Sequence, residues 1–338
     1  MRRRIVAFTV VSSLLFGLTP PLFSQARDPL AGKQVMVVRW NADLKVQAKT
    51  VGRLRLGSLI TADRVSGNWL WVKQARGWIA RSDVVPSERA IEHFTSAINR
   101  RRSAESYHQR AVAYTAFKQF DKALADLNAA ISRDPRNVAA YNDRGNVYRK
   151  LGRPKQAIAD FDKVIATNVR HPAVYTNRGL AWHDLGDYDR ALADFNAAIR
   201  LDARFAPAWE AGGSARQAKG EYAAAIRNYQ QAIKLDAKFV RAYNNLAWIM
   251  ATCRTGKHRD GKQAVEYAMK ACEMTNFQEA GTLDTLAAAL AESGRYDDAV
   301  KRASEAAALA DDSKKKAILR RLVLYKARKP FREAPQVK

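Results

Sequence analysis

Five aromatic residues, Tyr107, Tyr141, Tyr175, Trp209 and Tyr243, follow one another at intervals of 34 residues. Four positions after each stands a small residue: Ala111, Gly145, Gly179, Gly213 and Ala247. Ala123, Ala157, Ala191 and Ala225 keep the same period, and Leu127, Phe161, Phe195 and Tyr229 follow them by four. Gly152, Gly186 and Gly220 fall between the two groups. Within each period the apolar spacing is helical, interrupted once by a turn, so each unit reads as two antiparallel helices. Small residues let those helices approach closely, and the aromatic residues fill the space between one unit and the next. One such hairpin cannot bury its apolar face alone, so the units must stack.

This arrangement resembles the tetratricopeptide repeat, whose pattern runs W-x2-L-G-x2-Y, then A-x3-F, then P. Arg144 and Arg178 stand at the usual Leu position, and Pro135 is the one good terminal proline. The resemblance implies an all-α superhelical solenoid of six hairpins, at 104–137, 138–171, 172–205, 206–239, 240–279 and 280–313. The fifth is lengthened by a loop from Cys253 to Gly261. Residues 87–103, with Ile91, Phe94, Ala97 and Ile98, are expected to form a linking helix. Residues 314–328, with Ile318, Leu319, Leu322, Val323 and Tyr325, are expected to form a solvating cap. Residues 329–338 are expected to be a flexible basic tail.

Ahead of the repeats, residues 33–86 have a different grammar. Short runs rich in Val, Ile and Trp are separated by Gly and Asn turns, which indicates a small β-barrel. Gly57, then Gly67-Asn68-Trp69-Leu70-Trp71-Val72, then Gly77-Trp78-Ile79 resembles the bacterial Src-homology-3 (SH3) barrel, whose pattern is G-x-W-x-x-V followed by G-W-[IV]. The resemblance implies a second binding module, with Trp69, Trp71 and Trp78 as its candidate contacts and the cell wall as one candidate partner.

Residues 1–26 have the three-part layout of a secretory signal peptide. Arg2, Arg3 and Arg4 precede an apolar run from Ile5 to Leu18, and Ser24-Gln25-Ala26 places small residues at the cut. The run is too short to cross about 30 Å of hydrocarbon, and Pro20-Pro21 closes it. No Cys lies near the cut, which argues against a lipoprotein anchor. The expectation is an exported, periplasmic or secreted protein.

The net charge of +25 is uneven. Residues 27–86 carry 11 basic and 4 acidic side chains, and residues 314–338 carry 10 and 1, whereas residues 87–313 are near balance with 34 and 28. Arg53, Arg55, Arg64, Arg76 and Arg81 interleave with the barrel tryptophans, which would suit an acidic polymer or a generally solvated surface. Export argues against nucleic acid as a partner. Lys314-Lys315-Lys316 with Arg320-Arg321 would touch anionic lipid or form the polar face of the cap.

Reactive motifs are weak. Gly256–Lys262 fits G-x4-G-K, but a helix precedes it and Gln263 follows where a phosphate loop needs Ser or Thr. His93, His108, His171, His183 and His258 form no metal-ligand spacing. Gly212-Gly213-Ser214 lies inside a helix, not on a nucleophile elbow. Asp160, Asp162, Asp194, Asp297 and Asp298 are assigned to outer faces or helix starts. No catalytic constellation, cofactor or metal site is expected; an enzyme built on the loop near His258 is the outlying alternative. Cys253 and Cys272 fall at opposite heights of their hairpin, which disfavours a disulfide unless the inserted loop bends Cys253 back.

Function should then reside on the concave wall, lined by the first helices. The candidate peptide-binding side chains there are His108, Asn142, Asn146, Arg149, Thr176, Asn177, His183, Glu210, Gln217, Arg241, Asn244, Asn245 and Trp248. Asn amides would hold an extended backbone, or equally cap helices and bridge them. Asn146 followed by Asn177 resembles part of a carboxylate clamp, but Pro207 and Ala211 stand where the next hairpin would supply Lys and Arg. The chain thus reads as an exported, non-catalytic scaffold that binds a protein segment. The alternatives are a structural part of an envelope assembly, or a module that binds peptidoglycan through its barrel.

Overall fold

The computed structural model describes residues 28–167 and 170–333; the expected signal peptide and the last five residues of the expected tail lie outside them. The chain divides after Arg89 into a β unit and a helical unit.

The β unit contains β1 (Gln34–Val37), β2 (Ala42–Val46), β3 (Lys49–Leu54), β4 (Leu59–Thr61), β5 (Arg64–Ser66), β6 (Trp69–Val72), β7 (Gly77–Ala80) and β8 (Val84–Pro86). They form two antiparallel sheets, ordered β4-β1-β8 and β3-β2-β7-β6-β5. Strand side chains alternate between faces. Leu70, Val72 and Ile79 therefore join the core with Val35, Val37, Leu44 and Ile60, and Trp69, Trp71 and Trp78 stand on the other face. Trp71 and Trp78 are direct cross-strand partners and meet edge to face at 5.3 Å.

In the helical unit, α1 (Ala90–Arg100) precedes six hairpins. These are α2 (Ala104–Ala116) with α3 (Phe120–Arg133), α4 (Val138–Lys150) with α5 (Pro154–Ile165), and α6 (Pro172–Asp184) with α7 (Tyr188–Leu201). They continue with α8 (Ala206–Ala218) and α9 (Tyr222–Leu235), α10 (Val240–Thr252) and α11 (Gly261–Met274), and α12 (Ala280–Glu292) and α13 (Tyr296–Leu309). Helix α14 (Asp312–Lys326) ends the stack. Ile318, Leu322 and Tyr325 bury one face of α14, while Leu319 and Val323 remain exposed. Among the described residues, no helix is long and apolar enough to cross a membrane.

Each hairpin closes on a small residue. A Cβ at Gly145 would lie 2.7 Å from the Phe161 ring, one at Gly179 2.6 Å from Phe195, and one at Gly213 2.6 Å from Tyr229. The aromatic ring occupies the volume that the missing methyl leaves. The first hairpin solves the same problem with Ala111 and Leu127, both buried.

The residue before each small one decides the chemistry of the hairpin interior. In the first three it is Arg110, Arg144 and Arg178, and each guanidinium makes a two-pronged ion pair with the second helix. The carboxylates are Asp126 at 2.7 and 2.8 Å, Asp160 at 2.8 and 2.6 Å, and Asp194 at 2.8 and 2.7 Å. Asp160 and Asp194 are buried, which corrects their assignment to outer faces: a helix position opposite an inward Arg is internal whatever its charge. In the fourth hairpin Gly212 and Asn228 replace the pair, and in the last two Leu246 and Leu286 take over. The stack thus passes from a polar interior to the large aliphatic core around Leu246, Ile249, Leu283 and Leu286. Cys253 and Cys272 are separate buried thiols in that core. Gly256–Lys262 lies between two helices, so it lacks the strand that a phosphate loop requires.

Residues 329–333 of the expected loose tail are instead seated. Arg328, at φ 52°, ends α14: its N–H donates to Tyr325 O and that of Lys329 to Leu324 O. This is a Schellman termination, and Pro330 bars further helix. The chain turns back, and Glu333 N–H donates to Thr252 O at 2.9 Å.

Two substitutions separate packing from helix propensity. Gly179→Ala is expected to destabilise the chain by about 1–3 kcal/mol through the Phe195 clash, although Ala favours helix over Gly by about 1 kcal/mol. Gly281→Ala, on exposed α12 surface with nothing within 4 Å of a new Cβ, should stabilise slightly. Thermal melts by circular dichroism check both; equal shifts would refute the close-contact argument.

Candidate functional site

First helices of successive hairpins approach one another more closely than second helices do, which makes the first helices the inner, concave wall. Neighbouring helices are linked across it by a ladder of side-chain bonds. His108 Nε2 lies 2.7 Å from Asp143 Oδ2, Asn177 Nδ2 3.4 Å from Asn142 Oδ1, and Arg149 Nε donates to Asp184 at 2.8 Å. His183 Nε2 is 3.4 Å from Ser214 Oγ. Asn245 Nδ2 donates to Glu210 Oε1 at 2.9 Å, and Arg241 pairs with the other Glu210 oxygen.

The wall therefore uses many of its expected contact residues on itself. His108, Thr176 and Glu210 are buried, a correction to their reading as open groove surface. Thr176 Oγ1 donates to Pro172 O within its own helix. Asn142, Arg149, Asn177 and Asn245 are half-buried and bridge helices. Asn146 is half-buried and makes no side-chain hydrogen bond among the described residues. The Oδ1 atom of Asn244 is buried without a partner among them.

The wall is indented where the interior changes character. A cavity of about 200 Å³ is lined by His183, Tyr188, Ser214, Gln217, Ala218, Tyr229 and Asn245. Tyr229 OH donates to Gln217 Oε1 at 3.0 Å. Beside it sits Glu210, 1% exposed, while its cation Arg241 remains 62% exposed at the side chain. Burial pushes the Glu210 carboxyl up from its ordinary range, with Arg241 and Asn245 opposing. Burial pulls the His183 imidazole down, so it stands neutral near pH 7. Ser214 is inside α8, where backbone N–H groups are committed to the helix, so the Ser–His contact has no oxyanion site beside it.

Further along the wall, Trp248 is partly covered. Its ring lies 5.9 Å from that of Phe331, and the Arg321 guanidinium covers both rings at 5.3 and 5.4 Å. Arg321 is itself held by Asp284. Arg332 pairs with Glu292 at 2.6 Å, and Glu292 also takes Arg259 of the inserted loop at 2.9 Å. Sequence reasoning missed Phe331, Arg332 and Glu333. The available signal was a lone aromatic and a lone carboxylate within an otherwise basic stretch.

The remaining histidines have structural surroundings. His171 caps α6, its Nδ1 accepting from Ala173 N; His93 packs on Phe94 and His258 near Tyr222. Among the described residues, no group of His, Cys, Asp and Glu is placed to hold a metal ion.

In the β unit, Trp69 and Trp78 line a cleft of about 320 Å³ with Lys45, Gln47, Ala48 and Ser66. Lys45 Nζ lies 5.4 Å from the Trp69 ring centre. Trp71 is not part of its lining; it supports Trp78 from the neighbouring strand. Arg53 and Arg81 are drawn into ion pairs with Asp43 and Asp28.

Comparison with known proteins agrees with the helical geometry. Residues 108–166 and 142–204 match a family model described as tetratricopeptide repeat, and 213–251 match one described as TPR repeat. No curated protein sequence matches significantly. Among solved structures, the APC/C hetero-tetramer Cut9-Hcn1 superposes with a TM-score of 0.61 at 15% identity, covering 70% of this chain and 46% of that one. The chain thus spans less than half of that relative. PilW, a widely conserved type IV pilus biogenesis factor, gives a TM-score of 0.54 at 18% identity, covering 64% and 98%. YrrB, a TPR protein with an unusual peptide-binding site, gives 0.42 at 23%, covering 55% and 94%. The chain carries tetratricopeptide repeats, built into a solenoid that follows a small β unit.

The buried carboxylate of Glu210 yields a signed prediction. Because burial raises its pKa, the unfolded chain releases this proton at lower pH than the folded chain. The native state therefore loses stability as pH rises through that interval. Gln carries no such proton, so Glu210→Gln should match the parent near pH 4 and melt higher at pH 7, by about 2 °C or more. A parent that melts higher than the variant at pH 7 would contradict a net cost of burying this charge.

Proposed function

We propose, on the premise that the helical unit is a tetratricopeptide solenoid, that this protein is a non-catalytic interaction scaffold holding an extended segment of another protein on its concave wall. The observation that carries this reading is the arrangement around the indented middle of the wall. Asn146 presents an unused amide there, Asn177 is held by one long contact to Asn142, whose own Nδ2 donates to Asp143 at 3.2 Å, and the 200 Å³ cavity follows within one hairpin. Amides offer a donor and an acceptor at fixed spacing, which suits a peptide backbone. The fold comparisons support this reading in kind, since they indicate no catalytic family.

The β unit is proposed as an SH3-like second module. Its cleft joins two tryptophan faces to a lysine ammonium, a combination suited to planar or ring-shaped ligands bearing negative charge. Anionic cell-wall polymers have that chemistry. The signal-peptide layout of residues 1–26 supports export to the periplasm or beyond.

Peptides selected from a random display library on the full chain test the groove. The double variant Asn146→Ala, Asn177→Ala should weaken their binding at least tenfold, about 1.4 kcal/mol. Trp69→Ala should leave it unchanged. Undiminished affinity of the double variant, with helix content intact by circular dichroism, would overturn the assignment.

A further inference from the structure

The stretch of concave wall formed by α8, α10 and α12 already holds an extended peptide, and that peptide belongs to the chain itself. Phe331 packs against Trp248 at a tilt, with the Arg321 guanidinium over both rings. Arg332 reaches Glu292. Glu333 is bound through its backbone to Thr252 O, and its side chain is directed at Trp248 and Gln217. Phe331 thus meets an aromatic face with a cation beside it, Arg332 meets a carboxylate, and the Glu333 carboxylate lies near an amide and an indole N–H. The Glu333 Oε2 atom is buried without a hydrogen-bond partner among the described residues, so this carboxylate is docked less completely than an optimised ligand would be.

We propose that this part of the groove is a recognition site for extended peptides with the order aromatic, arginine, carboxylate, and that Phe331-Arg332-Glu333 is its internal ligand, competing with partners of that chemistry. This rests on the groove being the ligand-binding wall, but it concerns different hairpins from Asn146 and Asn177. The turn at Arg328 places the segment there. A non-glycine residue in the left-handed region costs about 1–2 kcal/mol, which weakens the hold and favours exchange. A tethered segment acts at an effective concentration on the order of 1 mM. A free peptide with a Kd of about 0.1 mM would therefore bind about tenfold more weakly while the segment is seated.

The probe is a fluorescein-labelled synthetic peptide covering residues 327–338, read by anisotropy. The proteins are the full unaltered chain, the full chain with Phe331→Ala and Arg332→Ala, and that chain with Trp248→Ala added. The loosened chain should bind the peptide about tenfold more tightly than the unaltered chain, and Trp248→Ala should remove that gain. Circular dichroism verifies that all three keep their helix content. Equal binding to unaltered and loosened chains, or binding to neither, overturns the proposal. Peptides that depend on Asn146 and Asn177 can still bind in that case, so the wider groove reading stands or falls separately.

Discussion

The contact between a small residue on one helix and a ring on the next is the constraint from which the stack follows. At Gly145, Gly179 and Gly213 a methyl group would penetrate the facing aromatic ring by roughly an ångström, and interiors are too dense to absorb that without moving a helix. Hairpin width is therefore fixed by these pairs. Fixed width sets the angle at which the next hairpin stacks, and that angle brings the first helices within reach of one another. The ladder from His108 to Asp143, and from Glu210 to Asn245, exists only because each first helix returns to the same height 34 residues later.

Within that frame the interior is not uniform. Three hairpins lock their helices with two-pronged Arg–Asp pairs, each about a fifth exposed on the Arg side. Breaking such a pair leaves a buried charge and costs several kcal/mol, but the intact pair contributes little over an apolar replacement. The later hairpins make that replacement, with Leu246 and Leu286. At the crossover neither device operates: Asn228 packs directly on Gly212, where a Cβ would lie 2.8 Å from its Nδ2, and its amide binds the Trp209 carbonyl. The cavity and the buried Glu210 fall at this junction.

Much of this was legible from spacing. The period placed Tyr107, Gly145 and Phe161 in their contacts, since periodicity reports which face of a helix is internal. It did not report depth. His108, Thr176 and Glu210 occupy groove positions on a helical wheel, yet each is covered by the neighbouring hairpin, and a wheel holds no information about the neighbour. Asp160 and Asp194 are internal although charge usually marks an exposed position; their partners sit 16 residues earlier, outside any helical window. The seating of residues 329–333 was illegible for a third reason. Arg328 adopts a conformation that glycine usually marks, so the sequence carries no sign of the turn that brings Phe331 back onto Trp248.

The energetics of that seating explain why a self-occupied groove can still serve a partner. One backbone hydrogen bond contributes about 1 kcal/mol, the tilted ring pair about 1, and burial of the Phe331 side chain at most about 2. The half-exposed Arg332 ion pair adds under 1. Ordering three residues costs about 3–6 kcal/mol in backbone freedom. The balance favours seating by no more than about 1–2 kcal/mol, the size of a tenfold competition, because Glu333 Oε2 is left without a hydrogen-bond partner among the described residues. A partner with the same chemistry and a better-matched carboxylate needs only a small advantage to replace the segment. The partly unsatisfied Glu333 is what keeps this wall available.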